Sequence, residues 1–153
     1  MSNVLYLILF SILFSSCSSN SIDPTGTYKL DSKITIRNGE TYGYFGDIQV
    51  KQIEDDEIVI TFNVCRGAPS YNIGAFADTL SFENNQANYT CSEYDSSCVI
   101  NFKFKKDGVE VLEKTNDLSF GCGFGYNVRA TGRYKIISHK TPVLKDPFNG
   151  KTL

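Results

Sequence analysis

Alternation of apolar with polar residues narrows the folds open to this chain more than any other feature. Ile58, Ile60, Phe62 and Val64 alternate with Val59, Thr61 and Asn63; Cys98, Ile100, Phe102 and Phe104 alternate with Val99, Asn101, Lys103 and Lys105. A period of two is that of a strand with one face buried, because successive side chains point to opposite faces of the pleat. The runs end in turn chemistry: Asn38-Gly39, which favours a tight hairpin, Glu54-Asp55-Asp56-Glu57, the ENNQ stretch at residues 83–86, and Lys106-Asp107-Gly108.

Strands are expected from Gly26 through Ile36, over 42–53, 58–64, 78–82, 87–91, 98–105 and 109–114, and from Val128 to Ser138. No segment has helical periodicity. The chain therefore predicts an all-β fold, an antiparallel up-and-down barrel of about eight strands. An even strand number lets the last strand close on the first, and Gly26-Thr27-Tyr28-Lys29 and Gly132-Arg133-Tyr134-Lys135 share a Gly-x-Tyr-Lys pattern that suits two neighbouring closing strands. Up-and-down order places the loops at 66–76, 92–97 and 115–127 at the end far from the N terminus, together with Cys65, Cys91, Cys98 and Cys122.

Val4 to Phe14 is apolar except for Ser11, too short to span a membrane and the right length for a signal-peptide core. The following Ser15-Ser16-Cys17 resembles the lipobox of bacterial lipoproteins, which implies a signal peptide over residues 1–16, lipidation of Cys17 and a polar tether over 17–25. The β domain then occupies 26–138, and 139–153, with two prolines and no periodicity, reads as a flexible C-terminal tail. Lipoproteins of Bacteroidetes-like bacteria that are exported to the surface carry an acidic run after the cysteine. None follows Cys17, so the expected location is the cell envelope, anchored to the outer membrane and facing the periplasm. A formal net charge of −2 gives no electrostatic reason to expect a nucleic acid partner.

Four cysteines in an exported domain read as two disulfides with three possible connectivities. Their spacing lacks the paired pattern of a zinc site, and the acidic turn at 54–57 lacks that of a calcium loop, so no metal is expected. No cofactor or catalytic set is expected either: His139 is the only imidazole, and no serine or cysteine has an evident base. Gly121-Cys122-Gly123-Phe124-Gly125-Tyr126-Asn127 feeds a strand, where a dinucleotide loop would feed a helix. It reads instead as a rigid loop beside the Pro-braced segment at 66–76. Arg66, Ser70, Tyr71, Phe124 and Tyr126 have the aromatic and arginine character of interface anchors and are the candidate binding residues.

The stretches GAPSYNIG (67–74), CVINF (98–102) and CGFGYNV with GRYK (122–128, 132–135) resemble small lipoproteins and secreted β proteins of Bacteroidetes-type bacteria, a group that brings no known activity. Gly26-Thr27-Tyr28-Lys29-Leu30 resembles the opening G-x-W strand of lipocalin-like lipoproteins. Strand order puts Cys98 and Cys122 at one end with a single strand between them, and Cys65 and Cys91 stand in the same relation. The rivals are a Cys91–Cys98 clip and a Cys65–Cys122 link across the mouth. The motif resemblance, in which the cysteines at 98 and 122 occur together, favours Cys98–Cys122 with Cys65–Cys91. The expected function is that of a membrane-anchored protein-binding module whose far-end loops dock on another envelope protein or a lysozyme-like enzyme, as in anchored lysozyme inhibitors, which are likewise small β-barrels with disulfides. The alternatives are a small apolar ligand inside a lipocalin-like barrel, or a structural envelope lipoprotein. Large inward residues such as Phe62, Phe102, Phe104 and Tyr134 weigh against an internal ligand.

Overall fold

In the computed structural model, which describes residues 21–153, the alternating runs form nine strands. These are β1 (Gly26–Leu30), β2 (Thr35–Arg37), β3 (Glu40–Glu54), β4 (Glu57–Gly67), β5 (Ile73–Glu83), β6 (Gln86–Cys91), β7 (Asp95–Lys105), β8 (Gly108–Lys114) and β9 (Gly132–Ser138). The signal segment, Cys17 and the tether up to residue 20 lie outside the described residues. Each strand pairs antiparallel with its sequence neighbour from β3 to β9, and β1 pairs with both β3 and β9, so eight strands close into a barrel. β2 only extends the far end of β3 as a hairpin. Among the described residues there is no α-helix, only a 3-10 turn at Gly121–Gly123.

The turn residues act as their chemistry dictates. Asn38 and Gly39 take φ of 51° and 80°, and Asn84 and Asn85 take 52° and 61°. Both pairs occupy the left-handed region that tight hairpins require and that asparagine and glycine enter most readily. At Gly43, φ is 100° and the β3–β4 register shifts between Tyr42 and Phe45, a bulge that bends the long third strand.

The inward set is Ile58, Ile60, Phe62 and Val64 on β4 and Cys98, Ile100, Phe102 and Phe104 on β7, all buried. Phe62 is the hub. Its ring stacks on Phe76 at 5.3 Å and on Phe124 at 5.9 Å, and meets Phe102 edge-on at 6.1 Å. Tyr28 on β1 and Tyr134 on β9 are also buried, and their hydroxyls donate to the carbonyls of Pro24 at 2.7 Å and Ala130 at 3.3 Å. Burial holds both phenols well above their ordinary pKa. The Gly-x-Tyr-Lys strands are neighbours, with Tyr28 paired to Ile136 and Leu30 to Tyr134.

Strand boundaries differ from the sequence reading at several places: the expected strand from Gly26 through Ile36 is two, β1 and β2, and β7 begins at Asp95, inside the expected loop at 92–97. β5 begins at Ile73, inside the expected loop, and β9 begins at Gly132 although the alternation starts at Val128. Val128 and Ala130 are buried like strand residues, but they belong to the folded-in loop. The segment read as a loose tail also takes a definite form. Leu144 is buried, Lys145 and Thr152 form an antiparallel bridge, and Asp146 Oδ1 accepts the N–H groups of Phe148 and Asn149. This turn lies over the outer face of β3 and β4, bounding a shallow groove with Asp47, Gln49, Thr61 and Asn63.

Two disulfides were expected and, among the described residues, one forms. Cys98 and Cys122 are bonded with Cα atoms 5.0 Å apart, whereas Cys65 and Cys91 are free thiols. Side-chain parity supplies the reason. Cys98 shares the inward register of Ile100 and Phe102 and opens into the mouth, where the glycine loop reaches it. Cys65 follows the inward Val64 and therefore faces outward, paired with the exposed Ile73 and with Phe45. Cys91 packs against the core cluster, of which the buried Cys65 is not a member.

Candidate functional site

The amide of Ile22 donates to Asn85 Oδ1, which places the chain's entry beside the β5–β6 turn. The β3–β4 and β7–β8 turns share that end; the loops 68–72, 92–94 and 115–131 lie at the other. That far end carries the candidate site, and its frame is the loop 115–131.

Five devices hold this loop. Asp117 Oδ1 accepts the N–H groups of Ser119 and Phe120, forming its first turn and lowering the Asp117 pKa. Asp95, half-buried at the start of β7, accepts from the Ser97 hydroxyl at 2.6 Å, the Thr115 hydroxyl and the Cys122 N–H at 3.1 Å. These donors, the Ser97 and Thr115 hydroxyls foremost, stabilise the anion and hold the Asp95 pKa far below the carboxylate range. The Cys98–Cys122 bond then ties the loop to the barrel wall. Deeper in the mouth, the side chain of Glu113 is 2% exposed and takes Arg129 Nη1 at 2.7 Å and the Ala130 N–H at 2.6 Å. The Tyr44 hydroxyl donates to the Asn127 carbonyl at 2.5 Å.

Phe124, expected as a contact residue, is 4% exposed and belongs to the core. Its ring lies over Gly74, where a Cβ would come within 2.5 Å of Phe124 Cγ, and stacks on Phe62. The loop thus plugs the barrel and cannot offer Phe124 to a partner. The other candidates stay at the surface: Ser70, Tyr71 and Tyr126 are exposed, and Arg66 is half-buried. The Tyr71 hydroxyl accepts the Thr41 N–H at 3.1 Å, which fastens the 68–72 loop to the β2–β3 hairpin.

Sequence reasoning missed most of the exposed apolar surface here. Tyr94, Leu118, Phe120 and Ile73 join Tyr71 and Tyr126 in a rim around the plug, with Tyr94 78% and Leu118 71% exposed. Parts of the rim are joined directly. Asn72 Nδ2 donates to the Tyr126 carbonyl at 2.9 Å, the Gly125 N–H donates to the Ile73 carbonyl at 2.9 Å, and the Phe120 and Tyr126 rings lie 5.5 Å apart. Tyr94 covers Gly123, where a Cβ would lie 3.1 Å from the Tyr94 Cβ. The available signal was a large apolar residue within each polar loop, in positions without strand alternation to bury it. Among the described residues, no group of three or more histidine, cysteine or acidic side chains is placed to hold a metal ion. Comparison of the chain with protein-family models, with curated proteins and with solved structures finds no match.

Proposed function

We propose that this protein is a membrane-anchored periplasmic lipoprotein whose far-end rim docks on another envelope protein, in the manner of an anchored inhibitor of a lysozyme-like enzyme. The observation that carries the reading is the rim itself. Six large apolar side chains, Tyr71, Ile73, Tyr94, Leu118, Phe120 and Tyr126, stand exposed around a loop held by a disulfide, a carboxylate clamp and a half-buried ion pair. Exposed aromatics on a pre-ordered frame lose little entropy on binding, which suits an interface better than a stapled but polar end would. The internal-ligand reading fares worse, since Phe62, Phe76, Phe102, Phe104 and Tyr134 fill the space that such a ligand would need.

The test uses the full-length protein in membranes, with a photo-crosslinking residue at Tyr126 or, as control, at the exposed Leu112 on the barrel wall. A single adduct from Tyr126, lost in a Phe120→Ser/Leu118→Ser variant and absent from Leu112, is the expected result. Added lysozyme should compete if the partner is of that class. Equal labelling from both positions, or none from Tyr126, would refute the docking role.

A further inference from the structure

The barrel wall has one seam. β5 and β6 share only the pairs Phe82↔Ala87 and Glu83↔Gln86 among the described residues, although β5 remains a strand back to Ile73 and β6 on to Cys91. The bonds that β5 makes elsewhere fix the direction of its backbone groups. The Phe82 N–H donates to Asp56, and the Asn72 carbonyl accepts from Arg66, so even-numbered positions turn towards β4. The odd-numbered Ala75, Ala77 and Thr79 therefore turn their N–H and carbonyl groups into the seam. The chain already uses this edge at its far end, where the carbonyl of Ile73 accepts the Gly125 N–H. Further along, the Thr79 N–H is taken at 2.8 Å by the carboxylate of its neighbour Asp78, a side chain standing in for an absent strand.

Asp78 marks the opening in a second way. It sits in the inward register of Gly74, Phe76 and Leu80, opposite the buried Ile60, yet it is exposed while those four are buried. On the opposite bank Tyr89 lies flat against Phe76, ring centroids 3.7 Å apart. Burial first, then Cys91 and the negative charges of Asp78 and Glu93, raise the pKa of the Tyr89 hydroxyl. Among the described residues neither acid belongs to an ion pair. An unmatched strand edge lined by an unpaired carboxylate suits an added strand that brings a cation.

We propose that this seam receives an extended segment of a protein partner, added as a strand along β5 with a lysine or arginine side chain on Asp78. The incoming backbone pairs with Ala75 and Ala77, and its carbonyl takes the Thr79 N–H and releases Asp78 to the cation. This site is separate from the rim and does not depend on it.

The probe is the peptide acetyl-TVKVT-amide, titrated into the full chain and followed by amide NMR and hydrogen exchange. Shifts and new exchange protection confined to Ala75, Ala77, Thr79 and the facing residues of β6 are expected. The glutamate counterpart, acetyl-TVEVT-amide, should bind about tenfold more weakly, because it brings like charges together. Asp78→Asn should remove the difference between the peptides, and Ala77→Pro, which deletes a seam-facing N–H, should abolish binding. If the proline variant does not fold, the Asp78→Asn comparison alone decides. Absence of binding at millimolar peptide, perturbation mapping elsewhere, equal affinity for both peptides, or unchanged binding by a folded Ala77→Pro variant would each overturn the proposal. Phe120→Ser should leave peptide binding intact, so a failure of the rim reading and a failure of this one are distinguishable.

Discussion

Gly74 and Phe124 are fitted to one another, and the fit decides what the glycine loop is. With no side chain at residue 74, an aromatic ring from a loop fifty positions later can reach the hub at Phe62. Phe124→Ala should therefore cost about 3–5 kcal/mol in urea unfolding, the range for a buried phenylalanine, and Gly74→Val should also lower stability by pushing the ring out. A surface role for Phe124 would leave both midpoints unchanged. The thiols make a second prediction. Peptide mapping without reduction should show Cys98 joined to Cys122 and both Cys65 and Cys91 alkylated, with half-exposed Cys91 reacting before buried Cys65. This pattern was half legible in the sequence. The even numbers of Ile58 to Val64 put Cys65 on the other face, and the same count puts Cys98 inside with Ile100. The position of Phe124 was not legible, because nothing in a run of glycines tells whether the loop folds inward or stands away.

Among the elements, the loop 115–131 depends most on electrostatics. Asp95 is ionised in the folded state to an unusually low pH, so its contribution is fully present above the ordinary carboxylate pKa of about 3.9. It is lost as pH falls through the depressed folded-state value. The melting temperature of the wild type should fall steeply below about pH 4, and that of Asp95→Asn less steeply from a lower start; parallel curves would show that the clamp does not bear on stability. The disulfide closes a segment with sequence separation 24. Its removal in Cys98→Ala/Cys122→Ala should cost about 3 kcal/mol by chain entropy, measured by denaturant unfolding. The strand pattern was readable through β4, β7 and β8, where one face meets the core and the other meets water. It misled at Val128, whose alternation with Ala130 is real but belongs to a plug. Burial on alternate positions is a property of any extended segment laid against a core, with or without a hydrogen-bonded neighbour.

For the whole molecule, closure rests on β1, which bonds to β3 on one side and to β9 on the other. The up-and-down barrel was legible because turn signals separated the runs and the count allowed an antiparallel closing pair. The C-terminal turn was not, since nothing in a stretch without periodicity marks Leu144 for burial. Truncation after residue 138 should keep the barrel folded and lower its stability by about 1.5–3 kcal/mol, the value of one buried leucine; unfolding on truncation would show the turn to be part of the closure. The position of β1 has a mechanical consequence. Its first residues lie beside the end of β9, with Thr27 opposite Ser138, so pulling the two chain ends apart opens their bonds one at a time, like a zipper. Pulling between the N terminus and the far rim instead drags β1 along its axis, and the bonds to both neighbours bear the load together. If the N terminus is anchored and the rim bound, as proposed, the molecule is loaded in its strong direction.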